Sequence, residues 1–467
     1  MSDKKSQENT IIEAEAGSAI AFDDTGLVMT LSDRVVRDIA LRLKGLDAPS
    51  GQALNDALSK ALKDIDHWAA HLDGEWITFQ ARLPGRQGAR AYRVHIEGGD
   101  VVAQTHEPIW GILGLGGPRG ALAIQRECHY PFHVLAPKDE AGAVGHGGTE
   151  APPLTDQLQH LVEVTQDATL AETLLETRMK AFAPLPLFLT RYECDNSASF
   201  DALIEGPAVK NLLIAARNLR DAGLRLDQKV KLLCVRLSFA LEMAEITAAA
   251  YQSGMIRLMD HLTAELMKLG FDQPVFLTEF ECGIDGAINH DLIKAQWTLS
   301  WDTGDHRLIT SCASHDVDRD AYGRLGNLEM ERLGKMSACA LQSYERDGKW
   351  IVPRLHLAER EGSVIRVTCV VDGKLVLDDT VAETHGFSVM SAGKEKKIKS
   401  VEIDPDDPKA LLVTLTSRTL TGEAILYYAC DPKAAGPRKG QLRDDWTPNP
   451  LHGDLGRWAL PAILEVH

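Results

Sequence analysis

The sequence predicts a mixed α/β protein with a doubly wound central domain, a small N-terminal α+β region and a C-terminal β-sandwich. Two observations carry this prediction. Between about residues 105 and 345, short apolar runs alternate with long segments of helical periodicity, as in a parallel sheet covered by helices. Beyond residue 346, short alternating runs follow one another between turn signals. We therefore divide the chain into residues 1–104, 105–345 and 346–467.

The first 104 residues combine helical and strand patterns. One helix is predicted after Ser32, a favoured N-cap residue, and a second over residues 51–72, where leucine and alanine recur at helical spacing. Alternation at residues 76–80 and 92–96 predicts strands. The apolar face of the second helix is typical of a core stripe, and an assembly surface is the alternative. We expect this region to serve in docking or assembly.

The central domain carries the predicted functional site. Its predicted strands and helices alternate along the chain, which requires right-handed crossovers and places the site at the carboxyl ends of the strands. The strands are predicted at residues 109–115, 185–189, 230–237, 274–278 and 308–312, and the helices at 167–182, 200–222, 246–269, 288–297 and 325–342.

The last region reads as a β-sandwich, because its apolar residues alternate in short evenly spaced runs such as 364–370 and 411–415. Asp372-Gly373 is a strong hairpin signal within it.

Composition excludes several classes of protein. Hydrophobic residues make up 44% of the 467 residues, too many for a disordered chain. The net charge of −17 disfavours nucleic-acid binding, and no apolar run reaches the roughly 18 residues of a membrane helix. The N-terminus does not resemble a secretory signal. Eight scattered cysteines without a Cys-x-x-Cys motif argue against zinc and disulfide scaffolds and favour folding in a reducing cytosol.

Four local motifs suggest chemistry, but each lacks a feature that the chemistry requires. The glycine-rich segment 114–120 lacks both the dinucleotide-binding pattern and the Lys-Ser/Thr ending of a phosphate loop. Asp316, Asp318 and Asp320 lack the glycine and glutamate of a calcium loop. Cys128 and His129 would point to opposite faces of a strand, and the His129/His133 pair spans a proline. We predict no metal and no cofactor.

The order of features from about His106 to Trp458 resembles the SGNH/GDSL hydrolases, in particular the carbohydrate O-acetylesterase-like branch with a C-terminal β-sandwich. The matching segments are Ala171-Glu172-Thr173, residues 201–206, Leu333-Gly334-Lys335, Trp350-Ile351-Val352-Pro353, His385-Gly386-Phe387 and residues 440–444 with Trp458. The resemblance implies an α/β domain whose strand ends carry a serine, an aspartate and a histidine.

The chain departs from the family at these catalytic positions. Gly116 stands in the place of the nucleophilic serine, Ala321 in that of the aspartate and Arg324 in that of the histidine. Glycine has no hydroxyl, alanine cannot orient an imidazole, and arginine keeps its proton near neutral pH. The resemblance also places the family's second and third blocks near residues 195–197 and 240–241. We therefore expect no catalytic triad and a non-catalytic protein.

Polar groups at the predicted strand ends remain as candidate ligand-binding residues. They are Gly116, Gly117, Asp195, Asn196, His315 and Arg324. His315 is also a candidate substitute base, and Ser199 fits a helix cap better than a nucleophile. Sugar hydroxyls or an anionic glycan would suit this set.

The resemblance, together with the apparent lack of an export signal, suggests a component of a bacteriophage-like particle, namely a receptor-binding, tail or spike protein for host attachment. Its expected partners are a cell-surface polysaccharide, other virion proteins and further copies of the chain, with no nucleic acid and no membrane. The expected location is the virion, or otherwise the cytoplasm. An active carbohydrate O-acetylesterase with a displaced triad and a cytosolic scaffold are the alternatives.

Overall fold

The described part of the chain forms two compact units. The computed structural model describes residues 9–14, 17–23, 26–29, 62–147, 151–196, 199–240, 246–282, 290–378, 384–418, 420, 422–432, 439–449 and 455–467. One unit comprises Met1–Leu83 and Ala89–Val101, and the other comprises Pro84–Gly88 and Val102–His467.

The described residues of the first unit contain one three-stranded antiparallel sheet and three antiparallel strands of a second sheet. They are β1 (Asn9–Ala14), β2 (Gly17–Asp23) and β3 (Gly26–Met29), and β4 (His67–Asp73), β5 (Trp76–Arg82) and β6 (Ala89–His95). The side chains of Ile77, Phe79 and Ala81 on β5 are buried, as the predicted alternation requires.

The predicted second helix is wrong over its last residues, which form β4. This strand pairs with β5 from His67 opposite Ala81 to Asp73 opposite Trp76, with a register shift between Trp68 and His71. Pairing along β5 therefore outweighs the helical spacing of a few apolar residues. Residues 62–66 of that predicted helix form a turn, in which the Ile65 N–H donates to the Leu62 carbonyl at 3.0 Å. Residues 51–61 and the helix after Ser32 lie outside the described residues.

A seven-stranded sheet forms the centre of the second unit. After the short β7 (Val102–Ala103), its strands are β8 (Ile109–Gly116), β9 (Val134–Pro137), β10 (Leu158–His160), β11 (Leu187–Cys194), β12 (Val230–Ser238), β13 (Val275–Phe280) and β14 (Arg307–Ala313). The order is β10-β9-β11-β8-β12-β13-β14, and every pairing except β10 with β9 is parallel. The predicted central strands are therefore confirmed.

Helices cover both faces of this sheet. They are α1 (Gln166–Lys180), α2 (Phe200–Glu205), α3 (Pro207–Arg225), α4 (Ala248–Lys268), α5 (His290–Leu299) and α6 (Asn327–Asp347). Gly111 of β8 packs on Leu219 of α3, whereas Gly114 packs on Asp167 of α1. Since these glycines are three residues apart on one strand, the two helices lie on opposite faces.

Side-chain caps fix several helix starts. Thr165, Ser199 and Thr247 each accept a hydrogen bond from the backbone N–H three residues ahead, at the start of α1, α2 and α4. The helix-capping interpretation of Ser199 is thus confirmed. None of the helices in the described ranges combines the length and apolar character needed to cross a bilayer. All eight cysteines are free, and all but the half-buried Cys128 are buried.

The rest of the second unit is β-rich. Its strands are β15 (Arg354–Glu361), β16 (Val364–Val370), β17 (Leu375–Leu377), β18 (Phe387–Ser391), β19 (Lys394–Lys396), β20 (Ile398–Ile403), β21 (Ala410–Leu415), β22 (Ala424–Tyr428), β23 (Leu442–Asp444) and β24 (Ala462–Glu465). Two four-stranded antiparallel sheets, β15-β16-β21-β20 and β19-β18-β22-β24, contribute side chains to one apolar core, and β17 pairs with β23.

The predicted hairpin at Asp372-Gly373 does not form. Strand β16 pairs with β15 and β21, whereas β17 pairs with β23. The Lys349 ammonium lies 2.7 Å from the Asp372 carboxylate, and the Lys374 N–H donates to the Asp445 carboxylate at 3.0 Å. These contacts direct the chain away from β16 instead of folding it back along that strand.

Candidate functional site

The carboxyl ends of the parallel strands meet where the site is expected. Gly116 ends β8 opposite Cys194 of β11 and Ser238 of β12. The Asp195 N–H donates to the Gly116 carbonyl at 3.1 Å, and the Gly117 N–H donates to the Ser238 carbonyl at 3.0 Å. The structure therefore brings Gly116, Gly117 and Asp195 together, with Asn196 next in the chain.

The side chain of Tyr192 fills the space above the end of β8. A Cβ atom added at Gly114, Gly116 or Gly120 would lie closer than 3.0 Å to atoms of Tyr192, a separation that real Cβ atoms essentially never show. The phenol is fully buried, and its hydroxyl donates to the Gly117 carbonyl at 3.2 Å. Burial holds the pKa of Tyr192 well above its usual value, so the phenol stays neutral. Position 116 has no room for a side chain.

A buried ion pair between Arg236 and Asp167 packs against the ring of Tyr192. The Arg236 guanidinium lies 5.0 Å from the Tyr192 ring centroid. Its Nε donates to the Asp167 carboxylate at 2.6 Å, and its Nη1 lies 3.9 Å from the Glu279 carboxylate. Burial raises the pKa of Glu279, and Arg236 opposes that rise. Arg236 stays charged, because the pKa of its guanidinium is raised by these carboxylates despite complete burial.

A small polar cavity, called the strand-end pocket below, opens beside this ion pair. It is lined by Arg119, Gly120, Gln166, Arg236, Ser238, Glu279, Glu281, Arg319 and Leu325. The Ser238 hydroxyl donates to the Glu281 carboxylate at 2.9 Å. The volume of the strand-end pocket, about 20 Å³, is close to the roughly 10–15 Å³ that holds one water. An ester substrate does not fit inside it.

Sequence reasoning missed Tyr192, Arg236, Ser238 and Glu281. Their strand positions offered one usable signal, since Ser238 directly follows the predicted strand 230–237 and Glu281 follows the predicted strand 274–278. The sequence contained no signal that marked Tyr192 or Arg236 as part of the site. An aromatic or charged residue within a strand does not reveal which partner it meets across the sheet.

The turn that carries Ala321 and Arg324 reaches the loop after β8. The Arg119 Nε donates to the Tyr322 carbonyl at 3.0 Å. Both Ala321 and Arg324 are exposed, and the Arg324 guanidinium lies 2.8 Å from the Asp320 carboxylate. These two positions therefore lie near the loop that follows Gly116.

His315 is buried away from the strand-end pocket. Its Nε2 lies 3.0 Å from the Ala459 carbonyl, and its Nδ1 accepts from the Gly440 N–H at 3.2 Å. Both ring nitrogens are therefore used by the backbone of the β-rich part. Burial lowers the pKa of His315, which favours the neutral ring.

The three aspartates that follow β14 each face a protein cation. Asp316 pairs with Arg332, Asp318 with Lys439 at 2.9 Å, and Asp320 with Arg324. Salt bridges therefore account for this acidic segment. The described residues contain no group of three His, Cys, Asp or Glu side chains arranged to hold a metal ion.

Cys128 and His129 lie beside the carboxylate of Glu172. The His129 Nδ1 is 3.7 Å from that carboxylate. Burial, followed by the charge of Glu172, raises the pKa of the Cys128 thiol, so the reactive thiolate is disfavoured. Burial lowers the pKa of His129.

The opposite face of β11 carries a second buried charged group. Arg191 contacts both Asp139 and Glu193, and all three side chains have no exposed surface. Burial raises the pKa of Glu193 to about 7 from 4.5, and Arg191 opposes the rise. Between these two values the folded chain holds a proton that the unfolded chain has lost.

We predict that this proton makes stability fall as pH rises from about 5 to about 7, because the folded state binds more protons. The shift from 4.5 to about 7 corresponds to at most about 3 kcal/mol. Urea unfolding at several pH values should show this slope in the wild type and in the Glu205→Gln control, which alters an exposed carboxylate. Stability should fall less steeply between these pH values in Glu193→Gln than in the wild type, because the variant lacks this one proton. An unchanged slope there would refute the assignment.

We also predict that Gly116→Ala lowers the free energy of unfolding by about 1–3 kcal/mol, as overpacking does. The added methyl group would collide with the Tyr192 hydroxyl and with the Ser238 carbonyl. In a Tyr192→Phe background, Gly116→Ala should lower the free energy of unfolding by less, because the Tyr192 hydroxyl no longer collides with the added methyl group. Urea unfolding of the four variants of this cycle measures the coupling. Equal costs in both backgrounds would contradict the packing described here.

Comparisons with known proteins complete the description of the site. No family model matches the sequence, and no curated protein matches it. Among solved structures, the chain is similar to a carbohydrate acetylesterase from Xanthomonas citri, with 13% identity and a TM-score of 0.48 over 81% of this chain and 87% of that one.

It also aligns at 12% identity with the N-terminal part of the bacterial S-layer protein SbsC, over 64% of this chain and 55% of that one, with a TM-score of 0.19. A longer SbsC structure aligns at 12% identity over 70% of this chain and 35% of its own, with a TM-score of 0.18. With TM-scores below 0.5, these similarities carry no weight for function. One solved structure similar to this chain is thus a carbohydrate acetylesterase.

Proposed function

We propose that the central domain is an SGNH-like hydrolase scaffold that has lost its catalytic triad, so that the protein acts without hydrolysis. The observation that carries this proposal is the position of Tyr192. Its hydroxyl takes up the space where a nucleophile at position 116 would stand. A serine at this position would need the tyrosine to move.

The positions proposed for the acid and base support the same conclusion. Ala321 has no group to orient an imidazole, and Arg324 is exposed and paired with Asp320. His315, the candidate for a substitute base, has both ring nitrogens engaged by backbone groups of Ala459 and Gly440. A general base needs a free nitrogen within reach of the proton it removes.

We propose that the protein binds glycan or is a structural component of a bacteriophage-like particle, namely a receptor-binding, tail or spike protein. The strand-end pocket is too small for a sugar, so a glycan would lie across its mouth. Asp195, Asn196 and Arg324 would then supply hydrogen bonds from the surrounding loops. Residues 1–104 would serve in docking to other particle proteins or to further copies of the chain.

One observation favours a second candidate, an active carbohydrate O-acetylesterase with a displaced nucleophile. The Ser238 hydroxyl ends the strand next to β8 and donates to Glu281 at 2.9 Å. A carboxylate can accept the proton of an attacking serine, and Arg119 and Arg319 line the same pocket. This candidate requires the pocket to open, because its volume of about 20 Å³ admits no ester.

Hydrolysis assays distinguish the two candidates. We expect the wild type to release acetate from p-nitrophenyl acetate and from acetylated polysaccharide no faster than heat-denatured protein. Ser238→Ala and Ser253→Ala, the latter an exposed serine on α4, should give the same rate. Turnover that disappears in Ser238→Ala and persists in Ser253→Ala would overturn the non-catalytic proposal and establish the second candidate.

Glycan binding is tested on an array of bacterial surface polysaccharides. The wild type should retain at least one polysaccharide. The double variant Asn196→Ala/Arg324→Ala should weaken that binding about tenfold, because it loses one neutral and one charged set of hydrogen bonds. Arg360→Ala, on β15, is the control. Absence of binding, or equal binding by all variants, would contradict the glycan role. Mass spectrometry of purified particles should find the chain among their proteins if the structural role holds.

A further inference from the structure

A second cavity lies where β14, the edge strand of the large sheet, meets the start of β15. Its lining comprises Ser300, Leu308, Ile309, Thr310, Tyr344, Gly348, Lys349, Trp350, Val352, Arg354 and Leu460. We call it the junction cavity. Its volume of about 230 Å³ is many times the roughly 10–15 Å³ that holds one water. Gly348 and Lys349 in this lining are exposed, so the cavity borders solvent.

The charged side chains that line the junction cavity are positive, whereas the net charge of the chain is negative. The protein has a net charge of −17, yet the lining contains an arginine and a lysine and no carboxylate. The Lys349 ammonium is neutralised by Asp372 at 2.7 Å. Arg354 forms no salt bridge with the described residues, so its positive charge is not balanced within the cavity wall.

The Arg354 guanidinium is held in place by neighbouring groups, but not all of its hydrogen-bond donors have an acceptor. Its Nη1 donates to the Ser300 carbonyl, and its central carbon lies 4.0 Å from the Trp301 ring centroid. Within the described ranges, its buried Nε finds no hydrogen-bond acceptor. Burial lowers the pKa of Arg354, but an arginine side chain stays protonated near neutral pH. A fixed cation with an unused donor is a ready anchor for an anion.

We propose that the junction cavity binds a small organic anion, and that Arg354 holds the carboxylate of an acidic sugar. The planar guanidinium matches the geometry of a carboxylate. Trp350 and Tyr344 supply flat aromatic walls, and Ser300 and Thr310 supply polar groups for hydroxyls. This site is separate from the strand-end pocket and does not depend on whether that pocket is catalytic.

Isothermal titration calorimetry with the full chain tests the proposal. The probes are D-glucuronate, the neutral analogue D-glucose and inorganic phosphate. We expect glucuronate to bind more tightly than either, and Arg354→Met to weaken it at least about tenfold, equivalent to one lost charged contact. Arg354→Lys, which keeps the charge but loses the planar fork, should give an intermediate loss. Arg360→Met, on the same strand with its guanidinium bonded to Gly362 and Arg418 carbonyls, should bind like the wild type.

The wild type alone provides a test that needs no variant to fold. Raising the salt concentration from about 0.01 M to about 1 M shortens the Debye length from about 30 Å to about 3 Å and should weaken glucuronate binding. Binding of glucose or phosphate as tight as that of glucuronate would overturn the carboxylate assignment. Absence of glucuronate binding, or equal loss in Arg354→Met and Arg360→Met, would overturn the site itself.

Discussion

The phenol ring of Tyr192 occupies the space that three glycines leave open at the end of β8. Gly114 and Gly116 on the strand and Gly120 just beyond it all lack the Cβ atom that would collide with the ring. The glycine-rich segment therefore makes room for a side chain of the neighbouring strand, which accounts for it without a bound phosphate. Under the proposed function, the same packing also closes the position that the resemblance to SGNH hydrolases assigns to the nucleophile.

The ring depends in turn on a buried ion pair. Arg236 stacks on Tyr192 and binds Asp167 at the start of α1, so strand β12, strand β11 and helix α1 are tied together by three side chains. Removing one partner of such a pair costs about 3–5 kcal/mol, because the remaining charge is left without compensation. Both charged side chains are almost fully buried, which makes this cost apply here.

The sequence predicted elements better than contacts. The central strands and helices follow from apolar periodicity, and the end of β8 falls at Gly116, one residue beyond the predicted strand. The helix predicted to Leu72 is absent from Leu62 onward, and residues from His67 form a strand instead, because pairing with β5 is a long-range effect. Tyr192 and Arg236 look like ordinary strand residues until the sheet order makes β11 and β12 the neighbours of β8. Likewise, the unbalanced charge of Arg354 emerges only when the two parts of the second unit meet.

Covalent labelling tests the central claim most directly, namely that no activated hydroxyl faces solvent at the strand ends. The native chain is incubated with a fluorophosphonate, which forms a covalent bond with activated serines, and the intact mass is then measured. The structure described here predicts an unmodified mass after prolonged incubation. A single adduct that maps to the strand-end pocket and is absent from Ser238→Ala would contradict it.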